Sequence, residues 1–479
     1  MISRTRAAAT RPARVGQPQT AGSGVKRKSQ RAPLLLIALI WIIEFHNYGG
    51  PSATADSTGP VTVASAAMPT EGDSLSRMIW LSMLLFGVVV VASRFREALK
   101  LLRNTNPYML LFVGLAICSI AWSIEPGITI VRLARVLTVL LASVAFGLVY
   151  KSPKNFQAIF RPAFTAILIG SIILVMVNPK LAIEQLSNTE LVGAWRGLAS
   201  QKNALGSLAS LSLVLWLHAF LSKESPMWRA LPGIAISALC LVKSRSSTSI
   251  MAAVFACGLM LMLLRSPPAL KRYMPYIVTL FVGTLLVYSL AVLDLLPGSG
   301  ILLSPITSLT GKDLTFSGRT AIWQVINENI ALHRWLGGGY GAYWSGLPQS
   351  PSMVMLVRVY FYPTESHNGY IDVVNDLGYA GGACLVGYVI YYVRQGLQIF
   401  RFARAQGALF LTLLLQQMIG NLSEAHWFNC LTNEFIIMTI ATLVMAEILT
   451  SRKQAVEAAG RQQMIHSGRP ALLRPQRRR

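Results

Sequence analysis

Long apolar runs recur along this chain, separated by short polar connections, and they constrain the fold more than any single motif. They fall at about 78–93, 107–123, 129–149, 157–178, 204–222, 228–243, 247–264 and 274–293, and again at 378–393, 407–421 and 430–449. A run of about 20 apolar residues crosses the hydrocarbon core of a bilayer as a helix. In lipid only helices and closed barrels satisfy their own backbone groups. With a shorter run from Pro33 to Phe45 the sequence predicts about 12 transmembrane helices, some of them short or tilted. Composition agrees, since 53% of the 479 residues are hydrophobic and only 13% are charged. The expected fold class is an all-α polytopic membrane protein. One large loop, about 294–377, is expected to carry short helices.

Charge orients the chain. The net charge of +24 is concentrated in the tails. Residues 1–31 form a basic tail with no acidic residue and are expected to be disordered, and 451–479 form a second basic tail. Between them, 32–450 read as one membrane domain. Arg94, Arg96, Lys100 and Arg103 lie in one connection, Lys151, Lys154 and Arg161 in another, and Lys223, Arg229, Lys271, Arg272, Arg394, Arg401 and Arg404 mark three more. If each segment spans once, all of these share a side with both termini, which is the cytoplasm by the positive-inside rule. Such tails fit anionic lipid headgroups better than nucleic acid in so apolar a chain. The first run could be a signal-peptide core, but removing it would break the charge alternation, so an uncleaved helix is expected. Cys118, Cys240, Cys257, Cys384 and Cys430 form no C-x-x-C pair and read as small apolar residues.

The outer connections hold few cations. Arg196, Lys202 and Asn203 lie in W-R-G-L-A-S-Q-K-N-A-L-G, Arg245 in S-R-S-S-T-S, and Arg319 at the start of a helical stretch in the large loop. There Ile322, Ile326 and Ile330 recur at four-residue spacing, as in an amphipathic helix. Gly337, Gly338, Gly339 and Gly341 follow, among Trp335, Tyr340, Tyr343 and Trp344. This pattern predicts a helical lid on the membrane surface, ended flexibly by the glycines. The loop closes on E-S-H-N-G-Y-I-D-V-V-N-D-L-G-Y-A-G, Glu365 to Gly381. An imidazole at a membrane boundary is a candidate general base, because its ordinary pKa lies near neutrality. A merely solvated boundary histidine is the bland alternative to His367.

Three pieces resemble the O-antigen ligase and polysaccharide polymerase superfamily, most closely its exopolysaccharide-production polymerase branch. They are H-N-x9-G-x-x-G at His367, Asn368, Gly378 and Gly381, S-G-R-T-x-x-W at Ser317 to Trp323 with the glycine-rich stretch to Trp344, and W-R-G with K-N-x-L-G at Trp195 to Gly206. The resemblance covers about 33–450. It implies a metal-independent, inverting glycosyl transfer, with no cofactor, at the outer face of a bacterial inner membrane. The donor would be a glycan on a polyprenyl diphosphate and the acceptor a growing polymer or a lipid A core. A flippase and a chain-length co-polymerase are the implied protein partners, with membrane lipids around them.

That chemistry suits these residues. A lipid diphosphate leaving group gathers negative charge, which fixed guanidinium groups stabilise through bidentate contacts. Arg196 and Arg319 are the first candidates, with Arg245, Lys202 and Asn203 as further binding groups. Snorkelling or helix-end cations are the structural alternative. His367 would take the acceptor proton, with Glu365 or Asp372 orienting it. Asn368 is expected to cap the next helix, and Gly378 and Gly381 to admit a close helix neighbour. Tyr340 and Trp344 are candidate sugar platforms, although interfacial aromatics are common. No Asp-x-Asp or Walker-type glycine loop is present, and the other histidines show no metal spacing. A transporter is the rival class, but its repeated halves and mid-membrane charges are not evident.

Overall fold

The computed structural model describes residues 40, 74–149, 153–184, 192–292, 319–360, 362–429 and 431–466. The first apolar run apart from Ile40, the basic stretch 1–31, the end of the second tail, and Ser317 and Gly318 of the long loop lie outside the described residues. Helices account for nearly all of the described structure, in the order α1 (Ser74–Ser93), α2 (Phe95–Asn104), α3 (Pro107–Cys118), α4 (Pro126–Val149), α5 (Pro153–Val177), α6 (Lys202–Leu221), α7 (Met227–Lys243) and α8 (Ser247–Arg265). They continue with α9 (Met274–Val292), α10 (Arg319–Leu332), α11 (Gly369–Phe402), α12 (Arg404–Gly420) and α13 (Asn433–His466). The protein is a helical, multi-pass membrane protein.

Seven described helices are long and apolar enough to cross a membrane, or eight if α1 and α2, bent by 96° at their junction, form one span. The expected dozen includes shorter elements. Helices α7 and α12 have 17 residues each, about 26 Å of rise against a hydrocarbon core of about 30 Å. A short α12 is explained by its position. Nearly every residue from Gly407 to Ile419 is buried, so this helix is wrapped by protein, contacting α8 and α11 most extensively. The lipid-facing side chains lie instead on outer helices, among them Leu81, Leu85 and Val89 of α1 and Tyr276 and Leu280 of α9.

The described part of the long loop is not a lid lying on the membrane surface. Ile322, Trp323, Ile326 and Ile330 of α10 form a small second core with Tyr343, Trp344, Ile371 and Val374, so the apolar stripe predicted to lie on the membrane faces protein. Nor do the glycines end the helix flexibly. Helix α11 is broken at Gly378, which takes φ 62° and ψ −161°. A break strands backbone groups that must find partners elsewhere. The segment 334–339 supplies them: Gly338 and Gly339 N–H donate to the Asn375 and Asp376 carbonyls, and Tyr379 and Ala380 N–H donate to those of Arg334 and Trp335. A Cβ at Gly337 would stand 2.2 Å from the Asp376 carbonyl oxygen. Gly378 therefore serves a threaded helix break, and a Cβ at Gly381 would meet the helix's own Leu377 at 2.5 Å, so neither glycine acts as the helix-packing residue the spacing suggested. Arg132 of α4 pins the far end, donating to the Gly341 and Trp344 carbonyls at 2.7 and 2.6 Å.

Candidate functional site

The separate motifs meet at a residue that the sequence reading passed over, Glu424, in the connection between α12 and α13. The residue is buried, 6% exposed. From the start of α6, Asn203 Nδ2 donates to its Oε1 at 2.7 Å and Gln201 Nε2 to its Oε2 at 3.4 Å. Arg319, opening α10, places one guanidinium nitrogen 3.3 Å from the same Oε1 and donates through the other to the Ser423 carbonyl at 2.6 Å. His367 Nδ1 stands 3.5 Å from Glu424 Oε2 and 3.3 Å from Glu365 Oε1. The imidazole meets both carboxylates at ion-pair distance, without an aligned hydrogen bond to either. One buried carboxylate thus joins three segments that are far apart in sequence.

Local chemistry fixes this arrangement. Asn368 caps α11, its side chain accepting from the Tyr370 and Ile371 N–H groups. The Gly369 N–H is shared between the Asn421 and Glu424 carbonyls, docking the helix start onto the 421–424 turn. That approach is so close that a Cβ at 369 would lie 1.9 Å from Asn421 Oδ1. Trp323 Nε1 of α10 donates to the Ser366 carbonyl at 2.9 Å, and Ser366 Oγ donates to the Asn368 carbonyl at 2.7 Å. Held from both sides, His367 adopts φ 53°, an uncommon value for a residue with a side chain. Strain of this kind persists where the surroundings over-determine it, often at functional sites.

Electrostatics follow from the geometry. Burial is the largest single influence on His367 and opposes its charge, but Glu365 and Glu424 together outweigh it and raise the pKa to about 10. Burial likewise opposes ionisation of Glu424, yet His367, then Arg319 and His426, hold it below the ordinary carboxylate range. The site is therefore a cluster of mutually supporting opposite charges, in which the imidazole and the Arg319 guanidinium both stand against the Glu424 carboxylate. Glu365, His367 and Glu424 offer donor atoms within 4.8 Å of one another, a set with the composition of a cation site. The Arg319 guanidinium already stands against Glu424 in that cluster.

The other predicted residues lie as follows. Asp372 does not face the imidazole; it accepts from Trp344 Nε1 at 3.0 Å and from the Ser366 N–H at 3.3 Å. Trp344 and Tyr340 are 4% and 6% exposed, too covered to offer a ring face. Tyr340 donates to the Phe428 carbonyl at 2.6 Å. Arg196 Nε donates to the Leu181 carbonyl and exposed Arg245 to that of Val192, each at 2.8 Å. These two arginines secure the segment that bridges Ile183 and Trp195. Lys202 is the first residue of α6, beside Asn203.

Two comparisons with known proteins bear on the site. Residues 232–386 match the family model described as O-antigen ligase. That stretch contains Arg319 and His367 but neither Asn203 nor Glu424. The chain is also 25% identical over 292 residues to "Exopolysaccharide production protein ExoQ" of Rhizobium meliloti (strain 1021), covering 59% of this chain and 63% of that protein. The match thus spans less than two thirds of the relative's length. Both findings agree with the superfamily resemblance carried by the motifs.

Proposed function

We propose that this chain, similar to the O-antigen ligase and polysaccharide polymerase superfamily, is a membrane glycosyltransferase that polymerises polyprenyl-diphosphate-linked oligosaccharide units into exopolysaccharide. The observation that carries this reading is the convergence of His367, Arg319 and Asn203 on Glu424. The acceptor hydroxyl oxygen attacks the anomeric carbon from the face opposite the leaving group. The bond from that carbon to the phosphate oxygen breaks, its electron pair stays on the diphosphate, and the configuration inverts. Arg319 faces the developing charge with a fixed fork, whose preorganisation a flexible ammonium lacks. Lys202 and the start of α6 add positive potential beside it, while Asn203 holds Glu424.

Glu365 and Glu424 claim Nδ1 of His367, which leaves Nε2 to accept the acceptor's proton. The same carboxylates keep the imidazole protonated at neutral pH, so the base form is scarce but strong, and transfer should accelerate as pH rises. The protein's own cations supply the charge stabilisation, and no metal step is needed. Arg196 and Arg245 act one step removed, by holding the segment that leads into α6.

We place the site on the periplasmic side of a bacterial inner membrane, in a twelve-helix chain with both termini cytoplasmic. This follows from the basic connections collecting on the opposite side. A flippase would supply the donor on that face, and a co-polymerase would set chain length. The relative's printed role in exopolysaccharide production favours a growing polymer over a lipid A core as acceptor. The test is the lipid-linked glycan profile of a deletion strain, resolved by leaflet. Single repeat units accumulating on the outer leaflet are expected. Long polymer retained on its lipid carrier would mean ligation, and units held on the inner leaflet would mean transport.

A further inference from the structure

Helix α1 contains 20 residues, a rise of about 30 Å, which is enough to cross the hydrocarbon core by itself. The next helix, α2, runs for ten residues and is bent by 96° from α1, so that it turns into the plane of the membrane. Both of its ends are fixed. At the bend, Arg94 Nη1 donates to the Leu148 carbonyl at 3.3 Å, one of the last carbonyls of α4, which have no partner inside that helix. Past the other end, Asn106 caps α3, and its Nδ2 donates to the Tyr388 carbonyl at 2.9 Å. Ala98 and Leu101 are buried with Val144 and Leu148 of α4 and Leu443 of α13, so protein covers one face of α2.

The rest of the helix surface divides into two stripes, each at the spacing i, i+4 and i+7 that keeps residues on one side of a helix. Phe95, Leu99 and Leu102 form an apolar stripe; the two leucines are half-buried, and Phe95 is 63% exposed. Arg96, Lys100 and Arg103 form a basic stripe, and all three are exposed. The helix has one carboxylate, Glu97, which lies about 100° round from Arg96 and off the apolar stripe. Up to the bend α1 presents Leu81, Leu85 and Val89 to lipid, and Phe95 opens the helix just past it. A helix lying flat, with an apolar stripe beside a basic one, has the build of interfacial helices that bind anionic membranes. A soluble acidic protein would meet the cations but leave Phe95 in water. We propose that α2 is such a helix, binding anionic phospholipid headgroups through Arg96, Lys100 and Arg103 with Phe95 seated among the acyl chains. The stripe belongs to a basic connection on the side assigned to the cytoplasm, where anionic lipids concentrate cations. Lipid binding at α2 is independent of the glycosyl-transfer reading.

The test uses the full-length protein and native mass spectrometry, with phosphatidylglycerol and phosphatidylcholine as competing probes. Phosphatidylglycerol should be retained in preference. Its affinity should fall about fivefold for each cation removed, and on the order of a hundredfold when Arg96→Gln, Lys100→Gln and Arg103→Gln are combined. These side chains are exposed, so the triple variant should unfold at the wild-type temperature. Removing as many cations elsewhere on the same side, by Lys223→Gln, Arg229→Gln and Arg272→Gln, should leave the tightly held phosphatidylglycerol in place. A second measurement places the protein in nanodiscs of phosphatidylcholine with brominated phosphatidylglycerol, where the added emission of Phe95→Trp should be quenched. No preference for phosphatidylglycerol, or equal loss in the two triple variants, overturns the proposal. Unquenched emission from Phe95→Trp overturns it too, because α2 would then stand clear of the bilayer and its cations would be left for a soluble acidic partner.

Discussion

Replacing Glu424 with glutamine removes one charge from the centre of the cluster while keeping shape and an oxygen for Asn203. The His367 rise from 6.5 to about 10 is produced by two carboxylates working against burial. At about 1.4 kcal/mol per unit, that net rise is worth roughly 5 kcal/mol between the two protonation states. Glu424 and Glu365 stand at similar distances from Nδ1, 3.5 and 3.3 Å. Sharing the effect evenly, Glu424→Gln should lower the His367 pKa by roughly 2 units and cost roughly 2–3 kcal/mol of stability at neutral pH. The sign is set by linkage. A folded pKa above the unfolded value contributes stability that is complete below about 6.5 and fades as pH rises through about 10. In the variant that loss should begin at the same pH, near 6.5, but be smaller and end at lower pH. The assay is an NMR titration of the His367 ring in the full-length protein, paired with thermal unfolding across the same range. A midpoint that stays put or rises in Glu424→Gln would refute the claim that Glu424 helps hold the imidazole charged.

Three further changes probe neighbouring parts. Arg319→Lys keeps the charge but loses the fork that spans the Ser423 carbonyl and Glu424; glycan transfer by purified protein should fall by about 10²–10³, the cost of removing one transition-state donor. Near-normal turnover would argue against a bidentate role. Gly378→Ala would force a Cβ to within 2.3 Å of the Trp335 backbone at a positive φ, so the folded yield in membranes should drop sharply, whereas a tolerated alanine would mean the helix break is dispensable. Arg132→Gln should lower thermal stability by about 1.5–3 kcal/mol for each charge-assisted bond lost to Gly341 and Trp344, and an unchanged unfolding temperature would show that the glycine segment is held by α11 alone.

Much of this architecture was legible in the sequence, because spanning helices announce themselves by length and apolarity alone. The helix starting at Arg319 was visible in its isoleucine spacing, but periodicity cannot say whether an apolar stripe meets lipid or protein. Its burial against Ile371 and Val374 depends on where α11 breaks. That break was hidden for a similar reason. A glycine followed by another three residues on reads equally as a packing surface and as a chain reversal, and only the threaded segment 334–339 distinguishes them. His367 and Arg319 stood out as polar residues on a face with few charges. Glu424 did not, because N-L-S-E-A-H-W between two apolar runs resembles any short connection. The available signal was that Glu424 and Glu434 are two of only 19 acidic residues and lie in the connection of the last two helices and at the start of the second of them. Arg196 stood out by its motif, yet it hydrogen-bonds its own neighbourhood, a distinction that spacing does not encode.

The most direct measurement of the central claim is reconstitution. Purified protein in vesicles would receive polyprenyl-diphosphate-linked repeat units in the presence of a chelator. Products would be resolved by length and by anomeric configuration. A ladder of inverted linkages from the wild-type chain and none from a folded His367→Gln variant is the predicted result. A ladder from the variant, retained configuration, or wild-type activity that appears only when a divalent metal is restored would contradict the account.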